Sequence, residues 1–190
     1  MMDDIASKKN ELRRKLRALR NDLGEDNRVA IDAVVATNVC EHPAYQQADA
    51  VYAYLSVGAE VDTRAIIRDA WSKDKMVAVP RCVPNTSLMD WYRIDDFEGL
   101  EASSFGIEEP PANPDRLVAL PAEGIQAVAL VPAFSFDPDR FRLGYGGGFY
   151  DEFLPNFHGV SIGLCRACQM SDVPLPRREG DIAVDVVITD

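Results

Sequence analysis

The stretch Arg140-Phe141-Arg142-Leu143-Gly144-Tyr145-Gly146-Gly147-Gly148-Phe149-Tyr150-Asp151 gathers the residue types that handle phosphate. Four glycines fall within five positions, two arginines precede them, and an aromatic pair and an aspartate follow. Glycine lets a backbone turn tightly and bring its N–H groups close to a ligand. Successive N–H groups in such a turn form a concave anion site. Arginine adds planar, permanently charged donors suited to phosphate, and a carboxylate beside phosphate can hold Mg2+. The combination suggests a loop that binds a Mg-nucleotide. It matches neither common phosphate signature. No Gly-Lys-Ser/Thr follows, and Phe149 stands where GxGxxG needs its last glycine. A glycine-rich turn joining a strand to a helix is the competing reading.

Such a loop needs elements to carry it. Ala127–Pro132 (AVALVP) reads as a strand leading into it, and Asp151 falls in or just before a short helix reaching Leu154. Upstream, Ala50–Ser56, Met76–Pro80 and Leu88–Ile94 read as strands, and Val160–Cys165 and Val186–Thr189 as late ones. Leu12, Leu16, Leu19 and Leu23 recur at spacings of four, three and four, which predicts an amphipathic helix over 7–23. Ser7 is its expected N-cap and Gly24 its stop. Further helices are expected over 26–41 and from Asp62 or Thr63 to Lys73. Alternating strands and helices predict an α/β fold, a single-domain three-layer sandwich spanning 1–190 with a mostly parallel central sheet and flanking helices. Residues 95–124, with prolines at 110, 111, 114 and 121, read as a long surface connection.

In an open α/β sheet, ligands bind beyond the carboxyl ends of the strands. Three marked sites follow such ends: Gly58, Glu60 and Asp62 after the first strand, Arg81 after the second, and the glycine loop after AVALVP. Lys9 and Arg13, four apart on the basic side of the first helix, project together and could reach an anion. Each has a plainer reading, as a helix cap or a solvated charge.

The 190 residues suit one domain with a sizeable core. With 47% hydrophobic and 27% charged residues the composition is that of a soluble globular chain. A net charge of −11 disfavours nucleic acid and anionic membranes. No apolar run is long enough to span a bilayer, and the polar N-terminus does not resemble a secretory signal. A cytoplasmic location is expected, as a monomer or weak homo-oligomer. Cys165 and Cys168 form a CxxC, but with no second CxxC and only His42 and His158 in the chain a zinc site is not expected. Reduced, mostly buried cysteines are the simpler expectation.

On these motifs the chain resembles the 5-formyltetrahydrofolate cyclo-ligase family. The resemblance runs through Lys9-x-x-Leu12-Arg13, Leu55-Ser56 with Glu60 and Thr63, and Val79-Pro80-Arg81. It continues through Val131-Pro132, Phe136-Asp137 and Arg142–Asp151, and closes with Asp181, Val184-Asp185 and Val187-Ile188-Thr189. The glycine motif is the specific part. The resemblance implies ATP- and Mg2+-dependent conversion of 5-formyltetrahydrofolate, polyglutamylated or not, to 5,10-methenyltetrahydrofolate. By position it implies that Lys9, Arg13 and the run Arg142, Leu143, Gly144, Tyr145, Gly146, Gly147, Gly148, Phe149 and Tyr150 hold the nucleotide. Arg142, Tyr150 and Arg81 form the implied catalytic set. Leu55, Glu60, Tyr145, Gly146, Gly147, Gly148 and Phe149 border the folate, and Asp151 and Asp185 serve the metal. The chain departs from the family at Ala133 (often Gly), Phe149 (often Tyr) and Gly180 (often His). A sugar-phosphate enzyme working without ATP, and a noncatalytic nucleotide-binding module, are the alternative readings of the same residues.

Overall fold

The computed structural model describes residues 2–103 and 106–190. Two helices, α1 (Met2–Asp22) and α2 (Glu25–Glu41), are separated at Gly24, whose φ of 74° only glycine adopts readily. A short α3 (Pro43–Gln47) leads to β1 (Ala50–Tyr52). α4 (Arg64–Ser72) follows, then β2 (Met76–Cys82) and β3 (Met89–Arg93). A small ribbon, β4 (Glu101–Ala102) and β5 (Glu108–Glu109), precedes a 3-10 turn (Pro114–Arg116) and β6 (Leu117–Val118). Next come β7 (Ala127–Pro132), the hairpin β8 (Ser135–Phe136) and β9 (Arg142–Leu143), and α5 (Phe149–Phe153). β10 (Val160–Leu164) and β11 (Val186–Ile188) complete the chain. No described helix is long and apolar enough to cross a membrane.

The central sheet has seven strands in the order β11-β10-β7-β1-β2-β3-β6. The five from β11 to β2 run parallel, and β3 and β6 are antiparallel additions at one edge. Side-chain alternation splits β1 between two cores. Val51 joins Val35, Val39, Tyr45, Ile66 and Ile67 of α2, α3 and α4 on one face. Ala50 and Tyr52 join Trp91, Phe136, Phe153 and Phe157 on the other. Covering both faces is what a mainly parallel sheet requires, and the expected mostly parallel three-layer α/β sandwich is what forms. α1 stands apart, its Leu12 and Leu16 packed on Phe134, Leu143 and Leu175.

Some boundaries differ from expectation. α1 begins at Met2, so Ser7 lies inside the helix and caps nothing. β1 stops at Tyr52, although Ala53, Tyr54 and Leu55 continue buried. The 95–124 connection is not plain loop: it supplies the β4–β5 ribbon and the edge strand β6. Residues 104 and 105 of that connection lie outside the described residues. The glycine loop does not follow β7 directly, because the β8–β9 hairpin intervenes. Buried Asp137 anchors that hairpin by accepting from the N–H groups of Asp139, Phe141 and Leu175.

Candidate active site

The connections after β1, β2 and β7 meet at the carboxyl ends of the parallel strands. Gly144–Gly148 lies between β9 and α5 and is shaped by glycine where glycine is needed. Gly146 has φ 109° and Gly148, the residue before α5, has φ 76°. A Cβ on Gly147 would lie 2.7 Å from the Phe149 ring. One on Gly148 would face Ser87, which places the β2–β3 turn beside the loop.

α1 lies against this loop. The Arg13 Nε donates to the Gly144 carbonyl at 2.7 Å, and its guanidinium is the group a Cβ on Gly146 would meet. Lys9, itself buried, ion-pairs with Asp181 at 2.5 Å. Arg142, 8% exposed, donates to the Ile182 carbonyl at 2.6 Å and to Asp151 Oδ1 at 2.5 Å. Burial lowers its pKa most, with Asp151 opposing. Arg13 differs from Lys9 and Arg142 in forming no ion pair among the described residues, although the Asp181 charge acts on it. Its other hydrogen bond goes to Asn10. Burial lowers its pKa, and the like charge of Arg178 adds to the effect. The like charges of Arg13 and Arg178 beside the glycine loop favour an anion there.

Glu60 approaches from the turn after β1. Its Oε2 accepts from the Val57 N–H at 2.8 Å, and the Tyr145 hydroxyl faces its carboxylate. Burial pushes its pKa up, and Tyr145, the Val57 N–H and Arg20 pull it back. The turn is anchored from below. Arg166, 0% exposed, donates to the carbonyls of Ala59 and Glu60 and pairs through both ends with Asp32. The Tyr150 hydroxyl is buried with no hydrogen-bond partner among the described residues. A buried orphan of this kind in a cleft is explained by a ligand that completes it. Burial, then the charge of Glu60, raises its pKa.

The remaining expected residues are placed as follows. Asp151 spends Oδ1 on Arg142 and the Ile182 N–H, and its side chain is one-third exposed. Asp185 is exposed, and its Oδ2 accepts from the Ser161 N–H and hydroxyl. The two carboxylates therefore have separate partners. No group of three or more His, Cys, Asp or Glu arranged for a metal occurs among the described residues. Mg2+ is often held by one or two carboxylates completed by substrate phosphates and water, and Asp151, whose hydrogen bonds among the described residues all use Oδ1, suits that pattern through its second oxygen. Arg81 is engaged by Glu101 at 2.9 Å and by the Pro110 carbonyl at 2.6 Å. Leu55 lies in the α2–α4 core. Leu143 is buried under α1, while Tyr145 leaves much of its ring exposed and sends its hydroxyl inward. All four cysteines are free. Burial pushes the Cys165 thiol up to about 12, so it is a poor thiolate at neutral pH.

Sequence reasoning assigned nothing to Arg20, Ser87 or Arg166. Arg20 was within reach: it follows Arg13 by seven, two helical turns along the same face. Ser87 and Arg166 carry no local signal, since only the tertiary fold brings them to the site.

Fold and site together define an α/β protein with an arginine-flanked glycine loop beside a half-buried carboxylate. Residues 5–190 match the 5-formyltetrahydrofolate cyclo-ligase family, and the chain belongs to it. It is similar to the 5-formyltetrahydrofolate cyclo-ligase of Mus musculus, 31% identical over 153 residues covering 79% of this chain and 75% of that one. The Haemophilus influenzae cyclo-ligase is 28% identical over 95% of this chain and 97% of its own. The solved structure of Aquifex aeolicus 5,10-methenyltetrahydrofolate synthetase superposes with a TM-score of 0.78 at 29% identity, covering 95% of this chain and 89% of that one. The chain is thus a member of a ligase family.

Proposed function

We propose that the protein closes 5-formyltetrahydrofolate to 5,10-methenyltetrahydrofolate in a reaction driven by MgATP, with release of ADP and phosphate. Family membership supports the substrate and product. The observation that carries the site is the guanidinium of Arg13, in no ion pair among the described residues, on the same glycine loop whose Tyr145 faces Glu60.

The chemistry needs activation. A formyl amide oxygen is a poor leaving group, so N10 cannot expel it directly. Attack of that oxygen on the γ-phosphorus breaks the bond to the ADP oxygen and gives an imidate-like phosphate. N10 then adds to the formyl carbon and gives up its proton, and the C–O bond breaks as phosphate departs. Such transfer depends on positioning and charge neutralisation. Lys9 and Arg13 on α1, with Arg142, supply cationic donors for the phosphates. The backbone N–H groups from Gly144 to Tyr150 supply neutral ones. The Tyr150 hydroxyl completes its missing hydrogen bond on the reactants. Asp151 and Asp185 would hold Mg2+, which would screen phosphate charge. Glu60 accepts from the N–H and amino groups of the pterin, with Leu55, Tyr145 and Phe149 shaping the pocket. Arg81 is a further anion contact once released from Glu101.

The protein acts in the cytoplasm as a monomer or weak homo-oligomer, on folate with or without a polyglutamate tail. Its net charge of −11 argues against nucleic acid and anionic membranes as partners.

Incubation with MgATP and 5-formyltetrahydrofolate is expected to produce the absorbance of the methenyl product. Its absence over a broad pH range, or its appearance without ATP, rejects the proposal. Arg13→Ala is expected to raise the KM for ATP about tenfold, the equivalent of one lost charge-assisted hydrogen bond of about 1.5 kcal/mol. The KM for folate should change far less. Equal changes in both constants would remove Arg13 from the phosphate site.

A further inference from the structure

Arg20 is an unusual arginine. It lies on α1 with 4% of its surface exposed, yet it forms no ion pair among the described residues. Lys9, Arg142 and Arg166, equally enclosed, each contact a carboxylate. A buried charge without compensation is costly to desolvate. What Arg20 does contact is polar or aromatic. Its Nη1 donates to the Tyr145 hydroxyl at 2.6 Å and its Nη2 to the Ala133 carbonyl. Its guanidinium stacks over the Phe134 ring, 4.6 Å from the centroid, and that ring in turn packs on Tyr145. Its Nε has no hydrogen-bond partner among the described residues.

The direction of one hydrogen bond decides what this cluster does. A guanidinium has donors and no acceptor, so the Tyr145 oxygen must be the acceptor from Arg20. The phenolic proton is then turned away from Arg20. The acidic group that interacts with it on its other side is the Glu60 carboxylate. The compensating charge for Arg20 is therefore Glu60, one phenol away.

We infer that Arg20 is a positioning residue for the folate: through the Tyr145 hydroxyl it orients the Glu60 carboxylate toward the substrate's N–H donors. This rests on the reading of Glu60 as the pterin acceptor. The other groups around the carboxylate do not do the same work. Tyr54 and Tyr150 are pushed up by burial and stay neutral. Arg166 meets Glu60 at its backbone carbonyl, and its charge is answered by Asp32. The Val57 N–H fixes one carboxylate oxygen but carries no charge. Burial favours the neutral acid at Glu60. A protonated Glu60 would turn an O–H toward substrate donors and lose acceptor capacity. Arg20 and Tyr145 oppose that outcome.

The test is the pH dependence of kcat/KM for 5-formyltetrahydrofolate at saturating MgATP. It is compared in the unmodified protein, Arg20→Gln, Arg20→Lys, Tyr145→Phe and Glu60→Gln, with melting temperatures measured alongside. Protonation of Glu60 creates an acid limb, below which kcat/KM falls. Loss of Arg20 or of the Tyr145 hydroxyl removes a pKa-lowering influence, so the limb should move to higher pH by about one unit. Arg20→Lys keeps the charge and should recover part of the shift. Glu60→Gln should abolish the limb and raise the folate KM. A purely structural Arg20 would lower the melting temperature and leave the limb in place, and that result overturns the inference while the Glu60 reading stands. A Glu60→Gln enzyme that keeps both the limb and its KM overturns the Glu60 reading and this inference with it. If Arg20→Gln does not fold, Tyr145→Phe, which deletes a single hydroxyl, decides alone.

Discussion

Arg142→Ala is expected to lower kcat/KM for MgATP by about 10²–10³-fold, the effect of removing one preorganised donor from a developing charge. Arg142 sits at the end of the β8–β9 hairpin, almost fully enclosed, where its rotamer is held by the Ile182 carbonyl and Asp151. A guanidinium has five N–H donors, and these two contacts leave others free for phosphate. The substitution has a second consequence. Asp151 would lose the cation that orients it, so the variant should also need more Mg2+ for half-maximal rate. Arg142→Lys should recover little, because an ammonium cannot hold a carbonyl, a carboxylate and a phosphate in one planar fork. Steady-state titrations of ATP at fixed Mg2+, and of Mg2+ at fixed ATP, separate the two losses. Unchanged kcat/KM in the alanine variant would exclude Arg142 from the reaction.

What made Arg142 legible in the sequence was its place in a dense local motif. The same holds for the parallel strands, whose apolar runs are short and continuous, and for α1, whose leucine spacing is regular. The structure departs from the sequence reading where the determining contact is distant. β6 is two residues long and becomes a strand only because β3 offers an open edge at Tyr92 and Trp91. Ser7 has the chemistry of a cap, yet the residues before it continue the helix, so α1 starts earlier than its sequence predicts. Glu60 was identified from its position after a strand, but the parts that give it character were not. Tyr145 comes from 85 residues further along the chain and Arg20 from 40 residues back. Local patterns report periodicity and turn chemistry; they do not report which buried charge answers which.

Arg166 and Asp32 are the case where that matters most for stability. Asp32→Ala leaves a fully enclosed guanidinium without its carboxylate, and breaking a buried pair this way costs about 3–5 kcal/mol. For a chain of this size the melting temperature should fall by roughly 10 °C. The pair also holds the Glu60 turn from two directions. Arg166 donates to the Ala59 and Glu60 carbonyls at 3.0 Å, and Asp32 accepts from the Asp62 N–H at 3.1 Å. Stability and function can be separated by replacing both partners. In Asp32→Leu/Arg166→Met no charge remains stranded, and much of the lost stability should return. The Ala59 and Glu60 carbonyls would still lack their donors, so Glu60 would stay loosely placed. The double variant should therefore melt near the parent yet keep a folate KM raised about tenfold, with the KM for ATP little changed. Recovery of both stability and folate KM would show the pair to be structural only. Failure to recover stability would mean that the two carbonyls, rather than the stranded charge, account for the loss in Asp32→Ala.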